Sequence, residues 1–170
     1  MKRILFFIAL LGAISAIIVH VSTILGIDVA DKVPFIWVLH VLIFVVWIPT
    51  IFSLKKEQKQ NKDANAFTLL TKNKPKWLIG LIIAIAVYTG FNFMFSLSKT
   101  EGTATNYENG VYSLQNRGKH IRNITEEEYH LHGANTVRSF SGHWILFYTI
   151  ATIALYKGKS KEEDEIESKN

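Results

Sequence analysis

The sequence predicts an all-α membrane protein: a four-transmembrane-helix bundle with a small extracytoplasmic cap made of a β-hairpin and a helix. Three observations predict it. Residues 4–25, 33–54, 77–97 and 140–156 form stretches that contain no Asp, Glu, Lys or Arg. The first three reach the ~20 apolar residues needed to cross a hydrocarbon core of roughly 30 Å, and residues 137–139 extend the fourth. None of the four has the charged face that a soluble amphipathic helix requires. The spans are accordingly drawn at about 4–26, 33–54, 77–97 and 138–156 of a membrane domain covering 1–156, with the cap at 98–139.

The first span opens with Met1-Lys2-Arg3, a start shared with signal peptides. Its apolar run continues past Ala13-Ile14-Ser15-Ala16 through Ile17, Ile18, Val19, Val21 and Ile24 with no clean Ala-x-Ala site. That run exceeds a signal h-region, and a retained helix is expected. The 26–33 connection is short and carries Asp28, Asp31 and Lys32. Pro34 opens the second span, as proline can at a first helical turn.

The connection between the second and third spans carries Lys55, Lys56, Lys59, Lys62, Lys72, Lys74 and Lys76 against Glu57 and Asp63. By the positive-inside rule this loop and both termini are cytoplasmic, and the 26–33 turn and the 98–139 segment lie outside. Phe67, Leu69 and Leu70 give the loop a small apolar patch, suited to the membrane surface or a neighbour. The net charge of +5 then reflects lysines near anionic headgroups. A nucleic-acid surface would interleave basic residues with aromatics, and this loop has only Phe67, so nucleic acid is excluded as a partner. The chain has no cysteine, which excludes disulfides, thiolate metal sites and cysteine nucleophiles. Its lysine- and asparagine-rich composition points to a bacterial inner membrane.

In the cap, Asn109-Gly110 and Asn116-Arg117-Gly118-Lys119 are turn signals around β-prone runs at 111–115 and 120–124, which predicts a hairpin. A lone hairpin is marginal in water and must lean on the bundle or on a partner. Thr125-Glu126-Glu127-Glu128 has the form of a capping box. A helix starting there and running into the fourth span would measure ~46 Å. Gly133 and Gly142 are positions where it could bend. Residues 157–170, including Glu162-Glu163-Asp164-Glu165, read as a solvated, disordered charged tail.

Candidate functional residues lie in one outer layer. His20, His40 and His143 each occupy a different span near its outer end, and Asn92 does so in the third. Imidazole ligates zinc, copper and haem iron, so His20, His40 and His143 could form a metal set, with Asn92, water or Met94 completing it. For haem b, His143 with His20 or His40 is the better axial pair, with room for the ring at Gly90 and Gly142. The same residues could instead act as inter-helix hydrogen-bonding groups, or as part of a proton or ligand path. His130 and His132 are two apart on a helix and point away from each other, so they are not read as a metal pair, and Glu128 with His132, four apart, is read as a surface pair.

No phosphate loop, nucleophile elbow, zincin helix or internal repeat occurs. Catalysis and transport therefore have no recognisable machinery, and the cofactor identity is left open by the sequence. The expected role is a non-catalytic multi-pass membrane protein. It would be an accessory subunit or interaction module that works through a membrane-protein partner or a second copy of itself. Tyr107, Tyr112, Tyr129 and Phe140 would form the contact surface. The alternative is a redox or metal-handling protein using His20, His40 and His143.

Overall fold

Six helices and three strands form in the computed structural model, which describes residues 2–61, 64–72, 74–106 and 110–156. Helices α1 (Lys2–Ile24), α3 (Val38–Gln60) and α5 (Lys76–Ser98) are each 23 residues long and apolar enough to cross a membrane. The last helix, α6 (Glu126–Leu155), is the longest at 30 residues and is the more polar one. Of the four predicted spans, three thus stand as membrane-length apolar helices. The fourth stretch forms the C-terminal part of α6. Tyr107, Asn109 and the 157–170 tail lie outside the described residues.

Helix α6 is the centre of the fold. It packs along α1 and also against α3 and α5. The α1 contact is close because that helix presents small residues to it. Ala9, Ala13 and Ala16 are buried against Trp144, Tyr148 and Ala151. Small residues four apart let helix backbones approach in lipid, where dispersion contacts replace the hydrophobic drive. Gly12 completes the stripe: a Cβ there would run into the Tyr148 ring. That ring is held in place by its own hydroxyl, which donates to the Leu39 carbonyl at 2.7 Å. Outward faces of α3 and α5 are apolar and exposed, including Val41, Phe44, Phe52, Val87 and Phe91, as lipid contact requires.

Helix α1 ends at Gly26, whose φ of +80° supplies the left-handed turn that closes a helix C-terminus. The outer connection then forms a one-turn helix, α2 (Val29–Lys32), capped by the Asp28 side chain. The second span starts later than expected, because residues 34–37 adopt turns and α3 begins only at Val38. It also runs further, to Gln60, through its lysine-rich end. In the connecting loop a short α4 (Ala66–Thr71) resolves the apolar patch: Leu70 packs with Ile82 of α5 and Ile153 of α6, while Phe67 stays exposed. Lys74 donates to the Tyr156 carbonyl, tying this loop to the end of α6.

The cap differs from the expected hairpin by one strand. An antiparallel sheet of order β1-β2-β3 forms from Thr103–Asn106, Tyr112–Asn116 and Lys119–Ile124. The β2–β3 turn has positive φ at Arg117 and Gly118, the signature of a type I′ hairpin turn. A third strand and a helix to lean on answer the marginal stability of a lone hairpin. Leu114 is fully buried, and the Tyr112 and Tyr129 rings pack at 5.0 Å between sheet and α6.

The predicted capping box is present. Thr125 Oγ1 accepts from the Glu128 amide at 3.1 Å, and the Glu128 carboxylate accepts from the Thr125 amide at 3.0 Å. Arg122 donates to the same carboxylate at 3.0 Å. The Thr125 amide and this guanidinium hold the Glu128 carboxyl below its usual range.

Gly133 and Gly142 prove to be close-approach sites, since α6 runs unbroken through both. The Asp28 carboxylate lies on Gly133, and the Asn92 amide would stand 3.1 Å from a Cβ on Gly142. Glycine position therefore makes opposite forecasts on α1 and α5. Gly12→Ala should cost roughly 1–3 kcal/mol by overpacking against Tyr148. Gly80→Ala, with open space around it, should be neutral or stabilising by up to about 1 kcal/mol. Thermal unfolding in detergent compares the two directly; equal effects would contradict the packing described.

Candidate functional site

The polar layer closes around one turn of α6. His20 is 3% exposed and both of its ring nitrogens are engaged. Nδ1 meets Ser141 Oγ at 2.8 Å and Nε2 meets Tyr88 Oη at 2.6 Å. Ser141 Oγ in turn donates to the Arg138 carbonyl at 3.1 Å. With that proton so directed, Ser141 accepts from His20 Nδ1–H, and Tyr88 donates to Nε2. One hydrogen-bonded chain thus joins α5, α1 and α6.

A second tie lies beside it. Asn92 Nδ2 donates to the Arg138 carbonyl at 3.2 Å, and Arg138 Nε donates to Asn92 Oδ1 at 2.9 Å. The amide is satisfied at both ends by one residue of α6. Thr89, one turn earlier on α5, donates to the Gly142 carbonyl at 3.1 Å. One turn later, Asn135 of α6 donates to the Ser96 carbonyl at 3.1 Å. Thr89, Asn92 and Ser96 all face α6 and are buried, as their three- and four-residue spacing dictates.

His40 and His143 are placed elsewhere. His40 Nδ1 accepts from Trp144 Nε1–H at 3.0 Å, and its ring lies in an aromatic group with Phe140, at 5.8 Å, and Phe44, at 6.0 Å. Trp37 packs edge-on against both Phe140 and Trp144. His143 Nδ1 donates to the Ser139 carbonyl of its own helix at 2.9 Å and stands edge-on to Phe93. The four residues singled out in the sequence therefore separate. His20 and Asn92 meet the same α6 turn, whereas His40 and His143 each have a different partner. Among the described residues no three His, Cys, Asp or Glu side chains come together as metal ligands would.

Tyr88, Ser141 and Thr89 do not stand out in the sequence, although the i,i+4 spacing of Tyr88 and Asn92 and the i,i+3 spacing of Arg138 and Ser141 carry the signal. Outside the bundle, His130 Nδ1 pairs with the buried Asp28 carboxylate at 3.2 Å, fastening the outer turn to α6. His120 is exposed and bonds Asn123 Oδ1 at 2.9 Å. Of the aromatic residues expected to face a partner, Tyr112 and Tyr129 pack on each other, and Phe140 packs on Trp37.

Comparison with family models, with curated proteins and with solved structures finds no match. The side chains themselves therefore carry any functional reading.

The chain through His20 makes a measurable forecast. Tyr88→Phe and Ser141→Ala should each destabilise the protein by roughly 0.6–2 kcal/mol, the range for inter-helix hydrogen bonds in lipid. In a His20→Phe background both should have almost no effect, because the ring nitrogens they serve are gone. Additive losses in a detergent unfolding series would show that the three side chains act independently.

Proposed function

We propose that the chain is a non-catalytic, four-span membrane protein, an accessory subunit or interaction module of a membrane complex. Three apolar helices suggest a lipid bilayer environment, and α6 is read as the fourth crossing. From Arg138 to Leu155 it is long enough for ~27 Å of hydrocarbon core. Its polar residues do not argue against crossing, because Arg138, Ser141 and Tyr148 bond neighbouring helices and Ser139, His143 and Thr152 bond carbonyls of their own helix. A helix surrounded by protein has no need of an apolar surface all round.

Charge supports the orientation. Lys2 and Arg3 lie at one end of the bundle, with the lysine-rich connection between α3 and α5. This end is read as cytoplasmic and the cap as extracytoplasmic, in a bacterial inner membrane.

One observation carries the functional reading: His20, His40, Asn92 and His143 are bonded to other protein groups and not to one another. His20, His40 and Asn92 connect α1, α3 and α5 to α6, the part polar residues play when they hold helices together in lipid. A metal centre would need His20, His40 and His143 to converge, and a haem would need His143 paired with His20 or His40, whereas each of the three rings is bonded to a different protein group.

Gentle extraction followed by native gel analysis tests the reading. A reproducible complex larger than the monomer is expected, with neither haem absorbance nor stoichiometric zinc, copper or iron. A strictly monomeric protein would contradict the accessory role. Stoichiometric metal or haem that disappears on His40→Ala would replace it with a redox or metal-handling one.

A further inference from the structure

We propose that the outer rim of the bundle holds a binding site for the headgroup of an anionic phospholipid, built around Arg138 and Lys99. The site is a cleft of 280 Å³ where the outer ends of α1 and α5 meet α6. Its polar lining includes Lys99, His132, Asn135 and Arg138, its apolar lining Ile24, Phe95 and Leu131, and among the described residues no carboxylate lines it.

The two cations are the informative part. Arg138 stands 4.8 Å from the Phe95 ring centre and Lys99 5.6 Å from the same centre. That geometry keeps the charges within about one Debye length of each other, roughly 10 Å at 0.1 M salt. Among the described residues neither forms an ion pair. The described salt bridges of the outer side are those of Arg122 with Glu101 and Glu128, and of His130 with Asp28. Arg138 uses Nε on Asn92, and its two terminal nitrogens have no hydrogen bond within the described chain.

Two like charges drawn onto one aromatic ring repel, and at a membrane edge they have less water to screen them. An anionic group between them removes that repulsion. A phosphate suits the place best, because a guanidinium bonds phosphate oxygens in a fork and a lysine adds a point charge. Two of the helix carbonyls that would oppose an anion are already bonded: the Ser96 carbonyl accepts from Asn135 and Thr100, and Gly26 N–H caps the Thr23 carbonyl.

A lipid rather than a soluble phosphate fits the apolar half of the lining. Ile24, Phe95 and Leu131 are exposed at this rim. Below it α1 and α5 each pack on α6 and are bridged by His20 and Tyr88, so an acyl chain would lie along the exposed apolar side chains of the rim. The inference rests on the bilayer setting and not on the accessory role.

Native mass spectrometry of the full chain in detergent, titrated with phosphatidylglycerol or phosphatidylcholine, tests it. Phosphatidylglycerol should bind the stronger of the two. Lys99→Gln should weaken it about fivefold, the effect of ~1 kcal/mol per basic residue near a lipid surface. Arg138→Lys should retain more binding than Arg138→Gln, and Lys119→Gln, on the exposed β-turn, should change nothing. Unaltered binding in a Lys99→Gln protein with wild-type melting behaviour would overturn the site, as would an equal loss in Lys119→Gln. Binding of inorganic phosphate alone, lost in the same variants, would overturn the lipid assignment in favour of a soluble anion. A chain that stays dispersed without detergent would remove the bilayer setting, and the site with it.

Discussion

A polar side chain inside a bilayer has no water to fall back on, so its hydrogen bonds must be made within the protein. The structure depends on how the polar groups along α6 are met by the helices packed around it. This helix carries the bundle's most polar surface, and its neighbours supply the partners: Tyr88 and His20 with Ser141, Asn92 with Arg138, Thr89 with Gly142, and His40 with Trp144. Each bond joins two helices. Together they set the rotation of α1, α3 and α5 about a common centre, which apolar packing alone specifies poorly in lipid.

Close approach is the second half of the same arrangement. Hydrogen bonds this short require backbones near one another, and the small stripe Ala9, Gly12, Ala13 and Ala16 lets α1 reach α6. Gly142 admits Asn92, and Gly133 admits Asp28. The N-terminal part of α6 repeats the pattern, where the capping box starts the helix and Asp28 with His130 fixes the turn after α1. Cap and bundle therefore share one continuous helix, and disturbance at the cap can be transmitted along it.

Much of this architecture was legible in the chain. Three spans followed from apolar length, the start of α6 from Thr125 and Glu128, and the β-turn from Arg117-Gly118. Other features were hidden for identifiable reasons. Strand β1 is a four-residue edge of Thr, Ala and Asn, too short for its alternation to register. The late start of α3 reflects turns after Pro34 that an apolar run conceals.

The layer of His20, His40, Asn92 and His143 was visible as a depth, because helix rise is regular. Its chemistry was not visible, because depth leaves azimuth unspecified. Tyr88 and Ser141 decide what His20 does, and both are ordinary residues in an apolar stretch. Arg138 and Lys99 look like routine interfacial charges until the fold places them on one ring. Their meeting there is what the proposed lipid site rests on.

The central claim is that His20 links three helices through both ring nitrogens. Nitrogen-15 spectroscopy of a histidine-labelled sample, with His20 assigned by substitution, addresses it most directly. The expected result is one protonated and one bare ring nitrogen, both hydrogen-bonded, with a ring proton exchanging slowly with water and a Tyr88→Phe change that shifts only the Nε2 signal. A ring that exchanges rapidly with solvent and ignores both Tyr88→Phe and Ser141→Ala would contradict it.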